Sequence, residues 1–345
     1  MLEVDGAYGE GGGQILRTSV ALSAITGRPC RIVNIRAGRP NPGLAAQHVA
    51  AVHAVAALSN AHVAGAEVGS SDLSFEPGTI APGRHTFDVG TAGSVALVLQ
   101  ACLPVAFAAR APVHLKLIGG TDVRWSPPLD YVARIFLPLL RRLGGDADVV
   151  LLRRGYYPRG GGAIEVAARP AKRWSAFSPE EVGPVERIRG IAHVSNLSAD
   201  IPKRMKHAAM RRLQGRGDVE IEERVYTADE ATGRGGAIVL RAETERTILG
   251  ADALAERGKP SERVGEEAAA ALAAELDAGA TLDAHAADQV LLYMAQADEA
   301  SRFVVRAASG HLRTMAWLLP QFLERRIEVE PCGARWRVTV GGSVE

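Results

Sequence analysis

The run Val113–Gly145, VHLKLIGGTDVRWSPPLDYVARIFLPLLRRLGG, reads as a strand (VHLKLIGG), a polar loop (TDVRWSPPLD) and a helix that stops at paired glycines. Before it, residues 90–109, GTAGSVALVLQACLPVAFAA, have the character of a helix. After it, residues 148–168, DVVLLRRGYYPRGGGAIEVAA, read as a hairpin. The order helix–strand–loop–helix–hairpin therefore fills one stretch of chain, and it occurs twice more.

The first occurrence starts with a helix over Gln14–Thr26 that stops at Gly27, a normal residue just past a helix end. It continues through the strand CRIVNIRAG, the loop RPNPGL, the helix Ala45–Leu58 and a strand–turn–strand around AEVGSSDLSFEPG. The last occurrence runs from the helix DAHAADQVLLYMAQA through the strand RFVVRAAS and a loop at Gly310-His311. It ends with the helix LRTMAWLLPQFLERR and the hairpin IEVEPCGARWRVTV. Units that cannot bury an apolar face alone pack around a shared axis. The expected fold is thus α+β, built of three α/β-type repeats about a pseudo-threefold axis. The loops Arg36–Leu44, Gly119–Asp130 and Ala308–His311 are expected to converge.

Between the second and third units the order changes. After the linker FSPEEVGPVE come a strand (Ile188–His193), a basic helix (Pro202–Leu213) and strands at Val219–Tyr226, Ala237–Ala242 and near Thr247–Leu249. A helix over Ser261–Leu276 closes the stretch. Residues 184–279 read as an inserted α+β domain, with 1–183 and 280–345 as the discontinuous repeat domain.

Bulk properties narrow the class. With 47% apolar residues, 23% charged residues and a net charge of +1, the 345-residue chain has no electrostatic footprint for duplex nucleic acid. A nucleic-acid partner would be gripped locally, at an end for instance. Cys30, Cys102 and Cys332 lie far apart, with no zinc spacing and no disulfide framework. No signal peptide opens the chain, and the apolar run Val95–Ala109 is too short to span a bilayer. The expectation is a cytoplasmic protein without membrane contact, for which a homodimer is one allowed assembly.

The residues with chemistry in them lie mostly on the repeats. GEGGGQILRT, residues 9–18, sits between a short strand and a helix, where glycine-rich turns bind phosphate. It lacks the P-loop lysine, fails the GxGxxG pattern at Gln14, and carries Glu10 among its glycines. Arg17, Arg36 and Arg39 flank this loop and the next one, and an arginine fork suits phosphate oxygens. Gln47 and His48 open the following helix toward the same place. HAADQ puts His285 and Asp288 one helical turn apart, as a metal pair, a ribose grip or a helix-start carboxylate. His311 follows AASG at a helix start, which disfavours imidazolium and leaves either a neutral nucleophile or a simple cap. Pro127, Pro128 and Tyr131 offer a rigid flat surface that His285 could face across one base.

Together DGAYGEGGGQILRT, IRAGRPNPGLAAQH, GGTDVRWSPPLDY, RRGYYPRGGG, HAADQVLLYMA and ASGHLRTM resemble the RNA 3′-terminal phosphate cyclase family, in order and through all three units. The resemblance implies a three-step reaction. ATP adenylylates a histidine with loss of pyrophosphate, AMP passes to the RNA 3′-phosphate, and the neighbouring 2′-OH closes a 2′,3′-cyclic phosphate. By motif position the nucleophile is His311. The resemblance further makes Glu10 the carboxylate of a Mg²⁺ or Mn²⁺ site, and Gln14 and Arg17 phosphate contacts. Arg36, Arg39, Gln47 and His48 surround the ATP phosphates or the RNA end, while Asp288 and Gln289 hold the nucleoside. His285, where some members carry tyrosine, sandwiches adenine with the Pro127–Pro128/Tyr131 loop. Two other readings are a non-catalytic, cyclase-like RNA-binding or ribosome-assembly protein, for which a histidine at 311 has no purpose, and an enolpyruvyl transferase, whose fold is shared but whose phosphate site is lined by lysine and arginine.

Overall fold

A computed structural model describes residues 1–343 of the chain. The first unit consists of β1 (Leu2–Asp5), α1 (Gly13–Thr26), β2 (Cys30–Val33), α2 (Ala46–Ser59), β3 (His62–Ala64) and β4 (Leu73–Glu76). Gly27 ends α1 in the left-handed conformation that lets a helix terminate without a side-chain clash. The strand expected over CRIVNIRAG is shorter than expected, because Asn34 and Arg36 adopt left-handed backbone angles that no strand can continue through.

The second unit adds a strand that the sequence reading lacks, β5 (Gly83–Asp88), then α3 (Val95–Phe107) and β6 (Val113–Gly119). Its next helix runs as α4 (Leu129–Tyr131), a π segment (Val132–Phe136) and α5 (Leu137–Leu143), followed by β7 (Asp146–Gly155) and β8 (Gly162–Arg169). The apolar run that is too short for a membrane becomes α3, which packs against α1 and α2 and is buried on nearly every side. Ser94 caps it by accepting from the Leu97 amide at 3.2 Å. No helix among the described residues is long and apolar enough to cross a membrane.

Next come β9 (Val185–Ser195), α6 (Asp200–Arg212), β10 (Asp218–Tyr226), β11 (Ala231–Thr232), β12 (Gly235–Thr244), β13 (Ile248–Leu254) and α7 (Ser261–Asp277). Four of these strands form a sheet in the order β10-β9-β12-β13, and a separate apolar cluster including Ile188, Met205, Leu240 and Leu272 fills the space under α6 and α7. The remaining strand, β11, pairs in parallel with β7 and so joins the second unit's sheet. The chain closes with α8 (Ala284–Met294), β14 (Ser301–Val305), α9 (Gly310–Phe322), β15 (Arg325–Cys332) and β16 (Arg335–Ser343).

One strand order is common to the three units. The strand after the first helix pairs antiparallel with the unit's last strand, which pairs antiparallel with the strand between them: β2-β4-β3, β6-β8-β7 and β14-β16-β15. Helices α1, α8 and α9 share a core with α3 and α5, and α9 packs directly on α1. That contact brings the start of the last long helix beside the glycine-rich turn.

A buried charge cluster ties the Thr121–Leu129 loop to the rest. The Arg154 guanidinium on β7, 1% exposed, donates to Asp122 at 3.1 and 3.2 Å, to Asp130 at 2.6 Å and to the Tyr226 hydroxyl at 3.1 Å. It also lies over the Tyr226 ring at 4.7 Å. Burial works against a charged Asp122, but Arg154, His193 and Thr121 outweigh it and hold the carboxyl well below the usual range. Asp122, Asp130 and His193 are spaced closely enough to hold a metal, yet the arginine already supplies the positive charge to both carboxylates.

Removing only one partner from such a cluster strands the others. Arg154→Met is therefore expected to lower unfolding free energy by about 3–5 kcal/mol in urea titration. The Asp122→Asn/Asp130→Asn/Arg154→Met triple variant should recover much of that loss, and an equal loss in both would contradict the pairing.

Candidate active site

Glu10 sits in the turn between β1 and α1, and His311 is the second residue of α9. They come together because α9 starts with Gly310: a methyl group there would collide with the Glu10 carboxylate. At this distance His311 Nδ1 lies 3.2 Å from Glu10 Oε2, with both side chains partly open to solvent. The carboxylate stands beside Nδ1, so Nε2 is the ring nitrogen without this neighbour. The turn is pressed onto α9 elsewhere too, as Tyr8 stacks on Trp317 with ring centroids 3.8 Å apart.

The expected basic group assembles on the other side of Glu10. Arg39 Nη2 lies 3.8 Å from Glu10 Oε2. Gly13 admits two of the others, since a methyl group in its place would strike His48 Nε2 and come within 2.9 Å of Arg17 Nη1. His48 is buried and accepts from the Ala45 amide through Nδ1 at 3.0 Å, an unusual helix cap. Burial and the neighbouring Arg17 and Arg36 push its pKa down to about 3, so it is neutral and its Nε2 faces the glycine turn. Arg36 donates to the Gly43 carbonyl at 2.7 Å, and burial, then Arg39, lowers its pKa.

Arg17 is enclosed by protein but unpartnered. It makes no hydrogen bond or ion pair with any described residue, and burial lowers its pKa to about 10. Gln14 Oε1 and Gln289 Oε1, both buried and without a partner among the described residues, line the same small cavity of about 40 Å³ as Arg17 and Asp288. Buried polar atoms are nearly always bonded. The unpaired guanidinium fits an anionic group, while the two orphaned amide oxygens are acceptors and fit hydrogen-bond donors such as hydroxyls. One carboxylate, Glu10, near such a phosphate site fits Mg²⁺, which typically takes one or two carboxylates and completes its shell with phosphate oxygens and water.

Burial heads the influences on His311 and lowers its pKa; Arg17, Arg39 and His285 add to the lowering, and Glu10 opposes it. The imidazole is held neutral by its surroundings more than by the helix start alone. Ser309 caps α9 by accepting from the Leu312 amide at 2.9 Å and donates its hydroxyl to Asp288 Oδ1 at 2.9 Å. Asp288 is thus tied to the helix that carries His311. Burial raises its pKa to about 7, against the pull of Ser309 and His285.

The adenine sandwich needs correction in one member. Tyr131 is wholly buried, meets His285 edge-on at 5.8 Å, and donates its hydroxyl to Asp283 Oδ1 at 2.6 Å. It cannot offer a face, because core packing takes both sides of its ring, and it acts as a support under the exposed His285. Pro127 is half-buried and Pro128 buried at the start of α4. Asp283, which the sequence reading passed over, caps α8 through the His285 and Ala286 amides at 3.1 and 3.0 Å and also accepts from Gly250 at 2.8 Å. An aspartate just before an apolar helix is a capping signal, and Ser309 carries the same signal for α9. Gln47 lies at the far edge, its Oε1 3.5 Å from the Ser94 amide.

The RNA 3′-terminal phosphate cyclase family model matches residues 8–329. Among curated proteins of that name, one from Nitrosospira multiformis is 50% identical over 329 residues, 95% of this chain and 93% of its own. Another from Pyrobaculum neutrophilum is 46% identical over 345 residues, 99% and 98% of the two chains. A third, from Pyrococcus furiosus, is 44% identical over 331 residues, 96% and 95%.

Asp288 yields a signed pH effect. A carboxyl whose folded pKa lies above its unfolded value near 4 favours the fold while protonated, and that contribution is lost as pH rises from about 4 through about 7. Asp288→Asn keeps an acceptor for Ser309 and removes the buried charge. In denaturant titrations at a series of pH values it should exceed the wild type by on the order of 3 kcal/mol at pH 8, with the gap closing toward pH 4. A gap independent of pH would contradict the buried titration.

Proposed function

The chain belongs to the RNA 3′-terminal phosphate cyclase family, and we propose that it converts an RNA 3′-terminal phosphate to a 2′,3′-cyclic phosphate at the expense of ATP. The observation that carries this reading is the pairing of His311 Nδ1 with Glu10 at 3.2 Å, which leaves Nε2 free and neutral beside Arg17 and Arg39. In the first step Nε2 attacks the α-phosphorus of ATP, an N–P bond forms, and the α–β anhydride bond breaks to release pyrophosphate. Arg17 receives the phosphates together with the Gln14 amide N–H group, and Gln289, whose Oε1 has no partner among the described residues, accepts from the nucleoside. In the second step an oxygen of the RNA 3′-phosphate attacks that phosphorus, the N–P bond breaks, and His311 returns to its starting state. Arg36, Arg39, Gln47 and His48 line the entry for this end.

In the last step the vicinal 2′-OH loses its proton and attacks the activated 3′-phosphorus, and AMP leaves. Holding the hydroxyl in line is the main demand, a gain in effective molarity rather than in acid–base power. A divalent cation held by Glu10 supplies charge neutralisation on the phosphates when bound. His285 and Pro127 take the two faces of adenine, Asp288 its ribose, with Tyr131 as the support beneath. The reading treats 1–183 and 280–345 as one repeat domain with its units about a pseudo-threefold axis, and 184–279 as an inserted domain. It is a cytoplasmic enzyme in RNA processing.

Incubation with α-labelled ATP and Mg²⁺ or Mn²⁺ should leave acid-labile label on the wild-type protein and none on His311→Ala. Label retained by His311→Ala, or absent from the wild type, would sink the nucleophile assignment. Glu10→Ala should label about 100-fold more slowly, while Arg211→Ala, on the exposed face of α6, should label as the wild type does.

A further inference from the structure

Trp125 is 93% exposed, and its backbone sits in the left-handed region at φ +61°. Both are unfavourable for an indole. Bulky residues rarely adopt positive φ, and such conformations persist where surrounding structure holds them, most often at functional sites. Here the surroundings do hold it. Arg154 pins Asp122 and Asp130 at the two ends of the loop, and Arg124 pairs with Glu256 on the far side at 2.6 Å. Ser126 bonds through its hydroxyl to Ser94. The ring has no aromatic partner among the described residues, whereas the exposed Tyr8 is covered by Trp317. The loop is therefore fixed with its one large apolar side chain facing water.

We propose that Trp125 is the stacking platform for a base of the RNA strand upstream of its terminal phosphate. A line of contacts leads there from the phosphate-binding group: Ser126 bonds to Ser94, whose amide faces Gln47 Oε1, and Gln47 adjoins His48, which touches the glycine turn beside Arg17. A net charge of +1 gives no broad basic surface along which to hold a strand beyond its terminal phosphate, and a contact that needs no charge suits the next base. Stacking on an indole supplies it and tolerates any base, as an enzyme acting on RNA ends of varied sequence requires. The inference rests on the cyclase reading for the identity of the strand.

The test is direct binding, without ATP, of 3′-phosphorylated RNA from a mononucleotide to a hexamer. Trp125→Ala should weaken hexamer binding about tenfold and leave mononucleotide binding within about twofold, with Trp125→Phe close to wild type. Self-adenylylation by ATP should be unchanged in both variants. Unaltered hexamer binding would overturn the platform, as would a loss shared equally by the mononucleotide or by adenylylation, which would place the indole at the nucleotide site. Absence of adenylyl label on the wild type would count against the cyclase reading alone, because the binding series does not depend on it.

Discussion

The site depends on one close approach, the turn before α1 lying flat against the start of α9. Two missing side chains make it feasible. Gly310 leaves room for the Glu10 carboxylate, and Gly13 leaves room for His48 and Arg17. A side chain at Gly310 would displace the Glu10 carboxylate, and one at Gly13 would displace the His48 ring. The stack of Tyr8 on Trp317 and the packing of α9 on α1 hold the two surfaces together, so the 3.2 Å contact between His311 and Glu10 is a product of core packing. The glutamate among the glycines of that turn thus stands beside His311 Nδ1 before any cation arrives.

Electrostatics around that contact are unbalanced by design of the fold. Arg17, Arg36 and Arg39 gather where only Glu10 and a half-titrated Asp288 oppose them, and burial lowers the pKa of both Arg17 and Arg36. Polyphosphate would supply the missing negative charge. The Arg154 cluster is the reverse case: Arg154, with Arg134 at the rim beside Asp130, answers the two carboxylates of Asp122 and Asp130, so the cluster fixes shape.

Much of this was legible in the sequence because it is local. Helices with a 3.6-residue period, glycine stops such as Gly27 and the tripled order of elements all leave marks within a short window. Glu10, Arg17 and His311 were legible as types in suggestive loops. Their mutual distances were not, since nothing in a linear pattern states that α9 lies on α1. Arg154 was invisible for a related reason: its partners come from a loop, a helix start and the end of β10, and a strand arginine next to Arg153 reads as solvent-facing. Tyr131 was misread because Pro-Pro-x-x-Tyr looks like a surface element, while the π segment that follows keeps the helix turned so that the ring enters the core. His48 as a helix cap had no signal, because histidine seldom plays that part.

The placement of α9 has a consequence for how the protein is made. Glu10 leaves the ribosome about 300 residues ahead of His311, and synthesis proceeds at roughly 5–20 residues per second. Throughout that interval the nascent chain holds the glycine-rich turn and Arg17, Arg36 and Arg39 without His311. On the proposed mechanism a chain that stops before α9 would have no group to take up AMP, and the histidine would be added only after most of the scaffold that aims it has been made.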